Sequence, residues 1–202
     1  GKGIIVADDS DTCSVARNAG ADYVICRGER RGIVSAVIEG LSLARRIGLK
    51  YIIIMDADGQ HPVDAIPLML KELSSGKKLV VGDRIIEDWS MWRRLISWGA
   101  ESIARFMLRT RITSCINDFG SGFFGIEASI NCLTPEDEVG DFKVLPNIVV
   151  NCGYKLTCSD VSNVKYVFGR RITGRSKLGA KQVINYLIQV IKLKYRLREL
   201  SS

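Results

Sequence analysis

The sequence predicts an α/β domain in which helices flank a mainly parallel sheet, and three observations predict it. The first 85 residues alternate short apolar runs with segments of helical period. The run Tyr51–Met55 is apolar throughout, as in a strand covered on both faces. The runs end in Asp8-Asp9, Asp56-Ala57-Asp58 and Gly82-Asp83-Arg84, polar clusters at the strand ends where ligands collect on such sheets.

Element by element, Gly3–Ala7 reads as a strand, and the polar turn after it, through Thr12, can cap a short helix over Cys13–Gly20. Asp22–Cys26 is a second strand. Gly32–Ile47 carries Ile33, Val37, Leu41, Leu43 and Ile47 at helical spacing. Tyr51–Met55 is the third strand, Asp56–Pro62 a loop, Val63–Ser74 a helix and Lys78–Gly82 a fourth strand. Beyond residue 85, Trp89–Thr110 reads as a helix with basic and aromatic residues near its start. Asp118–Gly125 is a glycine-rich segment with two phenylalanines, and Phe142–Cys152 is helical despite Pro146. Lys155–Val167 holds one or two strands, Phe168–Gly179 is a basic loop, and Ala180–Leu200 is a last helix.

The composition excludes several classes. Of 202 residues, 47% are apolar and 25% charged, as in a soluble globular protein, which rules out disorder, collagen and coiled coil. No uncharged apolar run reaches the roughly 18 residues of a membrane span. Gly1-Lys2-Gly3 leads directly into a strand-like run, so no signal peptide is expected here. Lys and Arg number 29 against 22 Asp and Glu, a net +7 that favours a phosphorylated ligand, a polyanion or an anionic membrane surface. Six cysteines lack any C-x-x-C pair and are read as reduced, mostly buried thiols of a cytoplasmic protein.

Asp56-Ala57-Asp58-Gly59-Gln60-His61-Pro62 is the most informative segment. Two carboxylates two residues apart at a strand end can face one crevice, and Gln60 adds a neutral oxygen. Hard divalent cations take such oxygens and keep other positions for water and substrate phosphates, so the segment suits Mg²⁺ or Mn²⁺ on a diphosphate. His61, the only histidine, reads as a structural loop residue.

These residues carry a family resemblance. Ile4-Ile5-Val6-Ala7-Asp8-Asp9-Ser10 resembles the V-D-D-x-S turn of family 2 glycosyltransferases, and Arg31–Gly40 their glycine-and-alanine helix start. Met55–Pro62 resembles the D-A-D-x-Q-H-P segment of the dolichyl-phosphate mannose synthase and polyprenyl-phosphate glycosyltransferase branch. Gly82-Asp83-Arg84 is similar to that branch's G-S-R. The match continues through Trp92–Ser97, Asp118–Phe124, Phe168–Arg171 and Gly174–Leu178.

The resemblance implies a GT-A-like glycosyltransferase domain over 1–179, with a nucleotide and metal half at 1–85 and an acceptor half at 86–179. A basic amphipathic helix follows at 180–202. It implies inverting transfer of a hexose, mannose or glucose, from GDP-mannose or UDP-glucose to dolichyl or polyprenyl phosphate. Asp9 would fall on the nucleotide. Asp58 and Gln60 would hold the metal, with Asp56 supporting it or the donor. Arg84, Arg93 and Ser97 would hold the acceptor phosphate, Arg171, Ser176 and Lys177 would close over the donor diphosphate, and Asp118 would act near the acceptor. An enzyme with a lipid acceptor is expected at the cytoplasmic face of a membrane, peripherally bound. There the terminal helix, with Val183, Tyr186, Val190, Leu193, Leu197 and Leu200 on one side and Lys192, Lys194, Arg196 and Arg198 in its second half, would touch the surface.

The family's first strand and helix, ahead of the V-D-D turn, have no counterpart here. Asn147 stands where relatives often carry glutamate, and Asp83 replaces a small residue. Other readings compete. The basic residues at 93, 94, 105, 109 and 111 also fit a solvated helix face. A family 2 enzyme with a soluble or polysaccharide acceptor shares most of these motifs. Asp8-Asp9 and Asp56 superficially fit a receiver-like phosphoacceptor switch, yet Val81-Gly82-Asp83-Arg84 lacks the Ser or Thr such a switch needs. No nucleic-acid motif accompanies the net charge, so no nucleic-acid partner is expected.

Overall fold

The computed structural model describes residues 3–8, 12–28, 31–86, 89–133, 143–169 and 180–200, with the side chains of residues 8, 180 and 181 outside the description. Within them the chain forms β1 (Ile5–Asp8), α1 (Cys13–Asn18), β2 (Tyr23–Cys26), α2 (Gly32–Arg46), β3 (Tyr51–Ile54), α3 (Ala65–Ser74) and β4 (Leu79–Ile85). It continues with α4 (Met91–Met107), β5 (Phe124–Glu127), α5 (Leu145–Cys152), β6 (Val161–Val167) and α6 (Ala180–Glu199). Pro146 sits in the first turn of α5, where a missing N–H disrupts no intrahelical bond. Ser90 caps α4 by accepting from the Arg93 N–H at 3.4 Å.

β1 and β2 pair in parallel, joined by α1 as the crossover a parallel pair requires. The remaining strands form a sheet of order β3-β5-β4-β6. That sheet is mixed through one strand: β3, β4 and β6 run the same way, as expected of a mainly parallel sheet, and β5 runs antiparallel to both its neighbours. β5 is four residues long and contains Gly125, so its strand signal is weak beside the glycines ahead of it. Since β3 and β4 are each antiparallel to β5, they still run the same way and their carboxyl ends share one edge of the sheet. Phe124 lies opposite both Ile54 and Val81, which places the turn before it between the segments leaving β3 and β4.

Side-chain alternation builds two cores. Leu79, Val81, Phe124 and Ile126 face α2, α4, α5 and α6, together with Val34, Leu108, Ile148 and Val190. Val80, Phe123, Val164 and Tyr166 face α3 through Ala65, Met69 and Leu73. Each fully buried phenylalanine, 119, 123 and 124, contributes roughly 1.5–3 kcal/mol from leaving water.

The two last long helices divide their surfaces differently from expectation. On α6 the row Tyr186, Val190, Leu193 and Leu197 is buried against α4 and α5, so it is a packing face. A second row, Ile184, Ile188, Ile191 and Tyr195, is exposed. On α4 only Ala104 is buried, while Trp92, Trp98 and Phe106 stand 74%, 71% and 75% exposed.

The reading of the cysteines as reduced, mostly buried thiols is also overturned. The six pair as Cys13–Cys26, Cys115–Cys158 and Cys132–Cys152, with Cα–Cα separations of 5.9, 5.6 and 5.3 Å, inside the range a disulfide spans. Only Cys132 and Cys152 are buried. The partners are 13, 43 and 20 residues apart, so tertiary folding alone brings them together. The cysteines therefore give no ground for a reducing compartment.

Candidate active site

The end of β3 is organised by its own turn. The Gln60 N–H donates to Asp58 Oδ1 at 3.1 Å, an Asx turn that fixes the carboxylate. The Asp56 N–H donates to His61 Nδ1 at 3.0 Å. His61 is buried and stacks on Phe123 at 5.0 Å, with Tyr166 and Phe168 around it. Burial, only partly offset by the charges of Asp56 and Asp58, lowers its pKa, so the ring stays neutral and Nδ1 keeps accepting. The structural role read for His61 is thus specific: it anchors the backbone of Asp56.

Gln60 is tied to the start of the following basic loop. Its Nε2 donates to the Gly169 carbonyl at 3.1 Å, and the Gly169 N–H returns to the Gln60 carbonyl at 2.9 Å. With the amide nitrogen engaged there, the side-chain oxygen is the atom a cation would take. Among the described residues no three His, Cys, Asp or Glu side chains converge as a metal cluster. Asp56, Asp58 and Gln60 form a partial oxygen set, which fits a hard cation that keeps several positions for water and phosphate.

The end of β4 is built differently. Arg84 Nε and Nη2 donate to Asp118 Oδ2 and Oδ1 at 2.5 and 2.7 Å, a bidentate fork. Glu101 Oε1 stands 3.6 Å from Arg84 Nη2. Burial opposes the charge on Arg84, but the hydrogen bonds and charge of Asp118 win and raise its pKa. Lys143 Nζ donates to the Gly120 carbonyl at 2.6 Å. Burial lowers the Lys143 pKa and raises that of Glu101. Arg84, Trp89, Ser97, Glu101, Gly120 and Lys143 line a common pocket, to which α6 contributes Gln182, Val183 and Tyr186.

The turn before β5 separates the two ends. A Cβ on Gly120 would stand 2.9 Å from Glu101 Oε1, and one on Gly122 would stand 3.0 Å from Asp56 Oδ2. A side chain at either place would push these carboxylates aside.

Of the residues expected at the acceptor, Arg84 and Ser97 share the pocket. Arg93 is stacked instead over Trp89, 4.1 Å from guanidinium to ring centroid, one layer behind the wall. Both carboxylate oxygens of Asp118 are taken by Arg84, making it a positioning partner. The solvated-face alternative holds for Arg94, which is exposed, and fails for Arg105, which is half-buried. Arg94 donates to the Ile86 carbonyl at 2.8 Å, and Arg105 clamps the carbonyls of Ile116 and Asn117 at 2.6 and 2.5 Å. Asp83 accepts from Asn117 Nδ2 at 3.0 Å. Asp9, Arg171, Ser176 and Lys177 lie outside the described residues. Glu101 and Lys143 were not singled out from the sequence. The spacing Ser97–Glu101, one helical turn, could have found the first, whereas nothing local marks Lys143.

The family model described as glycosyl transferase family 2 matches residues 2–131. This chain belongs to that family. A dolichol-phosphate mannosyltransferase of Mycosarcoma maydis is 36% identical over 209 residues, covering 96% of this chain and 67% of that protein. The dolichol-phosphate mannosyltransferase of Pyrococcus furiosus is 33% identical, covering 94% of this chain and 54% of that one. The family 2 chain thus spans about half to two thirds of these relatives. Among solved structures, the glucosyl-3-phosphoglycerate synthase of Mycobacterium tuberculosis in complex with Mn²⁺, uridine-diphosphate-glucose and phosphoglyceric acid superposes with a TM-score of 0.66. Its identity is 14%, covering 95% of this chain and 67% of that one, a likeness in the GT-A fold alone.

Proposed function

We propose that this family 2 chain transfers mannose from a nucleotide-activated donor to a polyprenyl phosphate, with inversion at the anomeric carbon, at a membrane surface. One juxtaposition carries the reading: a pocket that presents Arg84, Lys143 and Ser97 lies against the middle of α4, whose outer face exposes Trp92, Trp98 and Phe106. An acceptor with an anionic head and a long apolar tail matches both parts, whereas a soluble acceptor leaves Trp92, Trp98 and Phe106 unexplained. The names of the relatives, dolichol-phosphate mannosyltransferases, support the same substrate class.

A phosphate oxygen of the acceptor attacks the anomeric carbon as the bond to the nucleoside diphosphate breaks. The acceptor is already anionic at neutral pH, so no strong general base is required. Arg84 and Ser97 would orient it, and Asp118 holds the Arg84 fork in place. Mg²⁺ or Mn²⁺ on Asp58 and Gln60, with Asp56 in support, would neutralise charge on the departing diphosphate. Asp9 would meet the nucleotide, and Arg171, Ser176 and Lys177 the diphosphate. Lys192, Lys194, Arg196 and Arg198 would add attraction to anionic lipid beside the exposed row of α6.

A panel tests this. GDP-mannose and UDP-glucose, each with Mg²⁺, Mn²⁺ or chelator, are supplied with farnesyl phosphate or with soluble sugars, and labelled product is followed. Metal-dependent mannosyl transfer to farnesyl phosphate alone is expected; transfer only to soluble sugars would refute the lipid acceptor.

A further inference from the structure

Three charged side chains, Arg84, Glu101 and Lys143, share the wall of one pocket, and Asp118 pairs with the first. Lys143 is the member without an assigned role. Its backbone is held at both polar atoms by one side chain: its N–H donates to Gln189 Oε1 at 3.2 Å, and its carbonyl accepts from Gln189 Nε2 at 2.7 Å. Gln189 is itself buried in α6. A buried amide used in this way fixes where the lysine stem leaves the chain, immediately before α5. At the other end Nζ reaches the Gly120 carbonyl at 2.6 Å, beside Arg84 and Glu101 on the pocket wall with Ser97.

An ammonium has three donors, and the Gly120 carbonyl accounts for one. The neighbouring Arg84 has two of its three nitrogens engaged by Asp118. Arg84 alone is thus a poor fork for a dianion, whereas Lys143 keeps donors for one and is pinned at both ends.

We propose that Lys143 is a direct ligand of the acceptor's phosphate monoester, completing a cradle with Arg84 and Ser97. The assignment deepens the proposed function and rests on it for the acceptor's identity, but the anion site can be probed separately. The dianion would take over Glu101's place as counter-ion to Arg84 and Lys143. Burial disfavours the charged forms of both Glu101 and Lys143 in the unloaded pocket, in keeping with a site that gains its charge balance from ligand.

The test compares wild type with Lys143→Met and Lys143→Arg. Calorimetry measures farnesyl phosphate and inorganic phosphate binding without donor, and nucleoside diphosphate binding with Mn²⁺; thermal midpoints and acceptor kinetics are recorded alongside. Lys143→Met is expected to weaken farnesyl phosphate binding and raise its KM about tenfold or more, with diphosphate affinity within about twofold. Lys143→Arg should recover part of the loss, and inorganic phosphate should follow farnesyl phosphate if the head group alone is read. Unchanged farnesyl phosphate binding in Lys143→Met overturns the assignment. So does a parallel fall in farnesyl phosphate binding, diphosphate binding and thermal midpoint, the pattern of a mere strut for Gly120. A wild type that binds farnesyl phosphate through Lys143 yet transfers no sugar to it would refute the proposed function and leave the anion site standing.

Discussion

The ends of β3 and β4 lie either side of one glycine-containing turn, yet they are held by different physics. The β3 end is a turn of contiguous residues, Asp56 to His61, fixed by backbone hydrogen bonds to Asp58 and His61. The β4 end is a cluster of opposed charges from four parts of the chain, Arg84, Glu101, Asp118 and Lys143, fixed by pairing and burial. Removing the Asp58 side chain costs that turn one neutral-donor hydrogen bond, worth about 1 kcal/mol, and strands no opposite charge. In a buried charge cluster each deletion strands a partner.

The largest stability effect should therefore come from the β4 end. Asp118→Ala leaves Arg84 buried with only Glu101 nearby and is expected to cost roughly 3–5 kcal/mol, read from urea unfolding. Asp58→Ala should change the unfolding midpoint little. Equal costs at the two sites would break the comparison.

Arg93→Ala sharpens it. Arg93 stacks on Trp89 and reaches the pocket through that ring, so its loss should raise the acceptor KM about tenfold and spare nucleotide binding. An unchanged acceptor KM would remove Arg93 from the acceptor site.

The smallest effect is a pH dependence. Burial, then the charge of Asp118, raises the Glu101 pKa, so the folded chain keeps that proton to higher pH than the unfolded chain. The group's contribution to stability is present below the ordinary carboxylate range and is lost as pH rises through the folded value. Glu101→Gln should gain on wild type across that window, in urea midpoints from about pH 4 to pH 8. A constant difference between the two curves would assign Glu101 no such titration.

Legibility in the sequence follows the same division. The β3 end was readable because Asp56, Asp58, Gln60 and His61 are contiguous and follow an all-apolar strand. Arg84 and Ser97 were readable through motif resemblance, but the Arg84–Asp118 fork spans 34 residues and no local pattern announces it. Lys143 gains its place from Gln189, 46 residues later, and from the Gly120 carbonyl, 23 residues earlier. The antiparallel β5 was hidden because glycines suppress strand character locally while the sheet imposes it. The apolar row of α6 was visible, but its side was not: a stripe at helical spacing packs against a core or a membrane with equal ease, and α4 and α5 occupy it here. The cysteine pairs were invisible for the same reason.

A donor site at the β3 end and an acceptor-phosphate site at the β4 end should bind their ligands separably. Paired calorimetric titrations of wild type and Asp58→Ala test it most directly, one with GDP and Mn²⁺ and one with farnesyl phosphate. Asp58→Ala is expected to lose the metal-dependent part of nucleotide binding and to keep farnesyl phosphate affinity within about twofold. Nucleotide binding at wild-type strength in Asp58→Ala, or a joint loss of both ligands with the fold intact, would contradict that separation.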